Sequence, residues 1–185
     1  MTEARFTAAL VRDAEPCDMA AVQAIYAHYV RHSLVTFEIE PPAIEEMVAR
    51  LADVRRQSLP YLVAEIGGRV AGYCYATGYR ARAAYRHTIE SSVYIEQDQI
   101  GKGLGRLLMQ ALIARCEAGP WRQLIAVVGD SANEASLALH RSLGFRYAGT
   151  LEAVGFKFGR WVDTVFLQLP LGPGATRLPM DAPRS

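Results

Sequence analysis

The chain has 185 residues, of which 51% are hydrophobic and 21% are charged, and its formal net charge is +1. This balance is typical of one globular domain with a buried core, and it excludes a disordered chain. A net charge this small argues against nucleic acid as a partner, because such a partner requires a clustered basic surface. Any anionic ligand must therefore be held by a local group of donors.

The cysteines and the apolar segments give expectations about metals and location. Cys17, Cys74 and Cys116 lie among apolar neighbours without metal-ligand spacing, so we expect buried structural thiols and no metal site. Residues 1–12 lack the apolar core of a signal peptide, and no apolar run reaches the length of a membrane span. We therefore expect a cytoplasmic protein without a membrane partner.

The first part of the chain predicts a short strand and two amphipathic helices. A β-prone run at 6–11 precedes helix start signals, and apolar residues from Met19 onward recur near the helical period. After an extended connection at 34–38, Pro41-Pro42 opens a second helix, which ends before Pro60.

The middle of the chain predicts a β-hairpin, a basic loop and a further strand. The β-rich runs 61–66 and 70–76 are joined by Gly67-Gly68, and both turn positions can take positive φ angles. The loop at 78–86 is rich in arginine and tyrosine, and a strand follows at 87–95.

The last part of the chain continues the alternation of helices and strands. In order, it predicts a long amphipathic helix that ends at Gly119-Pro120, a buried strand at 124–128, a helix at 133–143 capped by Gly144, and strands at 146–151 and 162–169 with a connection at 155–161. We expect one α/β domain with a mixed sheet over residues 1–171 and a flexible tail at 172–185. A dinucleotide-binding fingerprint is excluded, because Arg106 and Leu108 interrupt its glycine spacing.

Gly101, Gly103 and Gly105 stand at alternate positions between a predicted strand and a predicted helix. Glycine lets the backbone approach a ligand closely, and the helix N-terminus carries unpaired N–H groups and the positive end of the helix dipole. Together these features predict a pyrophosphate site, to which Lys102 and Arg106 add positive charge. The alternative is a flexible turn with incidental glycines.

Two motifs resemble the signatures of the Gcn5-related N-acetyltransferases, the GNAT family. The first is Ser92-Val93-Tyr94-Ile95 followed by Ile100-Gly101-Lys102-Gly103-Leu104-Gly105, and the second is Asn133-Glu134-Ala135-Ser136 through His140 to Leu143-Gly144-Phe145. Three more segments, 81–85, 90–94 and 155–163, resemble the phosphinothricin and methionine-sulfoximine acetyltransferase branch. The resemblance extends over about residues 10–171.

Two positions depart from the usual family pattern. Ile100 stands where the family has Gln or Arg, but the loop contributes mainly backbone N–H groups, so we expect cofactor binding to survive. His140 stands where many members have tyrosine. The sulfoximine branch also has histidine there, which favours the narrower assignment.

The resemblance implies an α/β fold with a mixed, mostly antiparallel sheet, a splayed central strand pair and flanking helices. It also implies a homodimer and acetyl-CoA as the co-substrate. The expected cofactor-binding residues are Val93, Tyr94, Ile95, Gly101, Lys102, Gly103, Leu104, Gly105, Arg106, Asn133 and Ser142. Two alternatives stay open: the side chains at 93–95 could also be core, and Asn133 could only cap its helix.

Glu90 and His140 are the expected catalytic residues. An α-amino group is largely protonated near neutrality, so a base must remove a proton before the amine attacks a thioester. The resemblance places a glutamate at Glu90, and an apolar pocket would raise its pKa; the alternative is a solvated or ion-paired residue. His140 lies on one helix face with Asn133 and could protonate the departing thiolate or be structural.

The acceptor site is expected around the basic loop. A guanidinium fits an amino-acid carboxylate, so Arg82 is the first choice and Arg80 the second, with a solvated loop as the alternative. Phe37 and Tyr85 could pack on the substrate side chain or mark a dimer interface. Trp161 and Phe156 are assigned to packing or dimerisation.

The expected reaction is acetyl transfer to a small amino-acid-like amine of the phosphinothricin, methionine sulfoximine or methionine sulfone type. One alternative is a GNAT enzyme that acts on a protein N-terminus or a polyamine, although the basic loop argues against a polyamine. A second alternative is a non-catalytic acyl-CoA sensor, against which the presence of both Glu90 and His140 argues.

Overall fold

A single sheet of seven strands, in the order β1-β2-β3-β4-β5-β7-β6, is the centre of the protein. The computed structural model describes residues 9–179. In chain order, the strands and α-helices are β1 Leu10–Asp13, α1 Met19–His32, α2 Ile44–Arg56, β2 Tyr61–Ile66, β3 Arg69–Gly78, β4 Thr88–Ile95, α3 Leu104–Glu117, β5 Gln123–Gly129, α4 Glu134–Ser142, β6 Arg146–Lys157 and β7 Arg160–Pro170.

The pairing of the strands confirms the predicted fold class. Neighbouring strands of the described sheet are antiparallel except β4 and β5, which are parallel. The β4–β5 ladder runs only from Thr88 opposite Gln123 to Ser91 opposite Ala126. Beyond this point β4 and β5 no longer pair with each other, although β4 continues beside β3 to Ile95 and β5 continues beside β7 to Gly129. The result is the splayed central pair, with a gap at the carboxyl ends of the two strands.

The helices lie on both faces of the sheet, because successive side chains of a strand point to opposite faces. Tyr73 of β3 stacks on Tyr94 of β4, which in turn meets Tyr26 of α1. The next residue, Cys74, donates its thiol to the carbonyl of Leu108 in α3. Helices α1 and α2 therefore cover one face, and α3 covers the other.

The predicted hairpin turn and helix caps are confirmed. Gly67 and Gly68 have φ angles of 57° and 80°, and Gly144, which follows α4, has a φ of 91°. Asn133 is the N-cap of α4, since its side-chain oxygen accepts a hydrogen bond from the backbone N–H of Ser136 at 3.2 Å.

Two expectations are corrected and one is only partly described. Residues 155–161 are not a separate connection, because β6 continues to Lys157 and a two-residue turn at Phe158 and Gly159, both with positive φ, leads into β7. Cys74 and Cys116 are buried as expected, but Cys17 is exposed because it lies in a single 3₁₀ turn before α1. Of the run predicted at 6–11, residues 6–8 lie outside the described residues, and β1 begins at Leu10.

Residues 9–179 contain neither a candidate membrane span nor a candidate metal cluster. No helix in this part of the chain has the length and apolarity that a membrane span requires. No group of three or more His, Cys, Asp and Glu side chains within it is arranged to hold a metal ion.

Candidate active site

The gap between β4 and β5 opens into a cleft of about 440 Å³. Ten of the residues predicted from the sequence line it: Val93, Tyr94, Ile95, Gly101, Gly103, Leu104, Gly105, Arg106, Asn133 and His140. Because the β4–β5 ladder stops at Ser91, backbone groups of β4 that face β5 beyond this residue have no partner in that strand. The splayed strand can therefore offer backbone hydrogen bonds to an extended ligand.

The glycine loop forms one end of the cleft at the N-terminus of α3. Gly101 and Gly103 have φ angles of 80° and 84°, a conformation that glycine adopts at low cost. Gly103 is the N-cap of α3, and no side chain caps the helix. The first N–H groups of the helix are thus directed to the loop without a side-chain acceptor, which suits a phosphate group.

Two predicted cofactor residues lie at the rim, outside the lining of the cleft. Lys102 is exposed and donates to the side-chain oxygen of Gln99 at 3.3 Å. The hydroxyl of Ser142 accepts a hydrogen bond from Arg106 at 2.9 Å and donates to the carbonyl of Leu139 at 2.7 Å. Arg106 therefore connects the start of α3 to the end of α4.

His140 and Asn133 both line the cleft, as their spacing predicted. His140 is 4% exposed, and its Nδ1–H donates to the carbonyl of Ser136 at 2.8 Å. Burial lowers the pKa of the imidazole below its ordinary 6.5, and the hydrogen bond to Ser136 offsets only part of this effect. At neutral pH the ring is neutral, and its proton is on Nδ1.

Glu90 lies on β4 just before the strands separate. It stands opposite Thr77 of β3, so its side chain shares the sheet face that α1 and α2 cover. Glu90 is half-buried, and burial raises the pKa of its carboxyl above the ordinary 4.5. The carboxyl is not part of the cleft lining, but Ser92, two residues further along the same face, is.

A second cavity, of about 240 Å³, lies on the same side of the sheet as the Glu90 side chain, and we call it the tyrosine cavity. Its lining includes Tyr26, Arg50, Tyr61, Tyr73, Tyr75 and Thr77. Burial, with smaller contributions from Glu38 and Glu90, raises the pKa of the Tyr75 hydroxyl. Sequence reasoning missed this cavity, although tyrosines at alternate positions 73 and 75 in a predicted strand already indicated an aromatic face.

The predicted acceptor residues do not meet in one pocket. Arg80, Arg82 and Tyr85 line a separate hollow beside Trp121, and the guanidinium of Arg80 lies 5.1 Å from the ring centroid of Tyr79. Gln57 lines both this hollow and the tyrosine cavity, so the two are neighbours. Phe37 lies elsewhere and packs against Gly155 of β6.

The fold and the cleft together define an acyltransferase of the type that binds a nucleotide thioester in a splayed sheet. A family model for the acetyltransferase (GNAT) domain matches residues 11–166. The chain belongs to this family.

Similar proteins agree with this assignment. Phosphinothricin N-acetyltransferase of Alcaligenes faecalis is 59% identical over 172 residues, which cover 93% of this chain and 87% of the relative. The L-methionine sulfoximine/L-methionine sulfone acetyltransferase of Pseudomonas aeruginosa is 40% identical, with 89% and 96% covered. The crystal structure of a phosphinothricin acetyltransferase from Sinorhizobium meliloti in complex with AcCoA has a TM-score of 0.91 at 42% identity and 94% coverage of both chains.

The predictions of family, fold class and co-substrate are confirmed. The chain is an acetyl-CoA-dependent N-acetyltransferase.

Proposed function

We propose that this enzyme acetylates the α-amine of a small amino-acid-like acceptor of the phosphinothricin, methionine sulfoximine or methionine sulfone type. The main observation is the position of Glu90, a half-buried carboxyl with a raised pKa between the cofactor cleft and the tyrosine cavity. At about 240 Å³ the cavity is below the roughly 300–1,000 Å³ of pockets for drug-sized ligands, which fits a small acceptor. The names of the relatives support the same acceptor class.

The cleft residues divide the binding of acetyl-CoA between backbone and side chains. The uncapped N–H groups at the start of α3 hold the diphosphate, and Arg106 adds positive charge beside them. Residues 93–95 of β4 bond the extended arm along the edge that has no partner in β5, together with Asn133. The bound co-substrate supplies an activated acetyl thioester.

Glu90 removes the first proton. Its carboxylate accepts a proton from the ammonium group of the acceptor, and the neutral amine then attacks the thioester carbonyl carbon. A backbone N–H of the splayed strand donates to the carbonyl oxygen as negative charge develops on it. A raised carboxyl pKa brings the base closer to the pKa of the amine, which makes this transfer easier.

His140 handles the second proton. Its Nδ1–H is committed to the carbonyl of Ser136, so the unprotonated Nε2 is the nitrogen that can act in the cleft. The nitrogen of the new amide must lose one more proton, and the departing sulfur must gain one. Nε2 takes the proton from the amide nitrogen and then delivers it to the departing sulfur. His140 therefore acts first as a base and then as the acid that the sequence predicted.

Arg82 is the proposed partner of the acceptor carboxylate. Its loop adjoins the tyrosine cavity through Gln57, whereas the guanidinium of Arg80 is already stacked over Tyr79 and Tyr85. We assign Tyr85 and Phe37 to the outer parts of the acceptor site. Tyr85 lines the hollow beside the cavity, and Phe37 precedes Glu38, which accepts hydrogen bonds from Arg50 in the cavity lining.

A thiol-release assay tests the proposed function. Purified protein with acetyl-CoA is given methionine sulfone, methionine sulfoximine, phosphinothricin, spermidine and an alanine-initiated peptide. We expect release with the three amino-acid analogues and none above background with spermidine. Release with the peptide alone would support a protein N-terminus as the acceptor. Tight cofactor binding without release on any amine would support the acyl-CoA sensor.

We also propose that the enzyme is a homodimer that pairs through the β6–β7 hairpin. Val154, Phe156, Phe158 and Trp161 are each more than half exposed, and the rings of Phe156 and Trp161 lie 5.1 Å apart. An exposed apolar group of this kind marks an interaction surface. Light scattering should give twice the 20.4 kDa chain mass, and Trp161→Glu should shift the protein toward the monomer.

Two further expectations remain proposals. We propose that residues 1–171 form a single acetyltransferase domain followed by a tail at 172–185, which agrees with a sheet that ends at Pro170. Residues 1–8 and 180–185 of these two segments lie outside the described residues. The enzyme is cytoplasmic, which agrees with three cysteines that are all free thiols.

A further inference from the structure

Residues 34–38, part of the connection between α1 and α2, pack against two strands at positions that glycine occupies. A Cβ atom on Gly129 of β5 would lie 2.7 Å from the carbonyl oxygen of Leu34. A Cβ atom on Gly155 of β6 would lie 2.0 Å from the ring of Phe37. Both distances are too short for real contacts, so the two glycines allow the connection to approach the sheet edge closely.

A buried lysine ties the same connection to β6. Lys157 is 3% exposed, and its Nζ donates to the carbonyl of Thr36 at 2.8 Å. Burying an ammonium group is costly, and a methionine could fill the same space without that cost. Stability alone therefore does not account for this residue.

The two halves of the connection serve different sites. Val35 lines the cofactor cleft next to Gly129. Glu38 accepts hydrogen bonds from Arg50 at 2.8 and 3.2 Å and from the hydroxyl of Tyr26 at 2.9 Å, and both partners line the tyrosine cavity. Thr36 lies between the two halves, with its hydroxyl 2.7 Å from that of Tyr26.

We propose that Gly155 and Lys157 are positioning residues that hold residues 36–38 as one wall of the acceptor site. Gly129 holds residues 34–35 as a wall of the cofactor cleft, independently of β6. The assignment of residues 36–38 to the acceptor rests on the proposed function. The two attachments predict separate effects on the affinities for the two substrates.

Four variants test this separation. Gly155→Ala adds a methyl group against Phe37, and Lys157→Met removes the donor to Thr36 at similar length. Gly149→Ala is the matched control in the same strand, because its Cβ would meet nothing within 4 Å. Gly129→Ala places the same small change at the other attachment.

The acceptor KM, kcat and the Kd of acetyl-CoA are measured for each variant, with hydrogen exchange of residues 34–38. Gly155→Ala and Lys157→Met should each raise the acceptor KM about tenfold. This factor corresponds to the free energy of about one charge-assisted hydrogen bond. Their kcat should stay within about threefold and their Kd within about twofold of the wild type. Gly129→Ala should mainly raise the Kd, and Gly149→Ala should change nothing.

Hydrogen exchange separates failure of this inference from failure of the proposed acceptor. Amides 36–38 should exchange faster in Lys157→Met than in the wild type, whether or not an acceptor is known. Unchanged exchange, an unchanged acceptor KM in a folded variant, or equal rises in KM and Kd would overturn the positioning role. A wild-type enzyme that binds acetyl-CoA but acetylates no amino acid would overturn the acceptor class, while the exchange result still decides whether Lys157 holds the connection.

Discussion

The two substrate-binding regions of this enzyme are built in opposite ways. Most residues that line the cleft come from two continuous segments, the stretch from Ser91 to Arg106 and the stretch from Asn133 to His140. The proposed acceptor side combines residues that are far apart in the chain: Tyr26 and Arg50 line the tyrosine cavity, Glu90 lies on β4, and Lys157 lies on β6. A ligand held by backbone groups needs a local turn and a helix end, whereas an acceptor held by side chains needs the whole fold.

The largest expected effect is a loss of affinity for acetyl-CoA from a change in the glycine loop. Gly103→Val should weaken acetyl-CoA binding by at least about 100-fold, because a β-branched residue is strained at a φ of 84° and would change the shape of the loop that is proposed to hold the diphosphate. Calorimetry measures the Kd, and Gly149→Ala serves as a control for an ordinary glycine. Binding within threefold of the wild type would show that the loop does not hold the diphosphate.

Glu90→Gln should separate chemistry from both binding sites. We expect kcat to fall about 100-fold with the Kd of acetyl-CoA unchanged, since loss of a general base typically costs 10²–10⁴. Glu90 acts only when ionised, so wild-type kcat/KM should rise with pH through its raised pKa, and this limb should vanish in the variant. An unchanged pH profile would remove Glu90 as the base.

The same substitution has a stability consequence of known sign. The folded protein binds the Glu90 proton more tightly than the unfolded chain does, so stability falls as pH rises from 4.5 through the raised pKa. Glu90→Gln removes this loss. Its Tm relative to the wild type should therefore be higher at pH 7 than at pH 4, as thermal melts at the two pH values would show.

Arg82→Ala should affect the acceptor side only, and to a smaller extent. We expect the KM of amino-acid acceptors to rise about tenfold, because one guanidinium–carboxylate contact is lost. Arg80→Ala is the comparison variant, and its effect should be weaker because Arg80 is stacked over Tyr79 and Tyr85. If KM barely moves in Arg82→Ala, the carboxylate is held by another residue.

The smallest expected effect is at the rim of the cofactor cleft. Ser142→Ala should change the Kd of acetyl-CoA less than about twofold, because its hydroxyl is bonded to Arg106 and Leu139 and does not line the cleft. A tenfold loss would make Ser142 a ligand of the cofactor.

The sequence allowed prediction of the cofactor side because its signals are local. Gly101, Gly103 and Gly105 predict the turn and the start of the helix. The spacing of Asn133 and His140 places both residues on one helix face. The structure brings these residues together around one cleft. The strand boundaries were less accurate at the β6–β7 turn, where Phe158 takes a positive φ that a sequence pattern does not indicate.

The acceptor side could not be predicted in the same way. In the sequence, Arg50 is a surface partner for Glu46 four residues earlier, and only the fold brings Glu38 to the same guanidinium. Lys157 falls in the segment predicted as a connection, yet it lies in β6 and is buried against Thr36, 121 residues away. Contacts between distant segments leave no periodic signal in the chain.

The short β4–β5 ladder also has a thermodynamic consequence. Strands β1–β4 and β5–β7 form two hydrogen-bonded blocks, and within the described residues the strand ladder between them extends only from Thr88–Gln123 to Ser91–Ala126. A molecule that fills the gap between the blocks acts as a missing strand, and its binding energy adds to the cohesion of the sheet. The Tm of this enzyme should therefore rise with the concentration of acetyl-CoA, as thermal melts across a titration of the co-substrate would show.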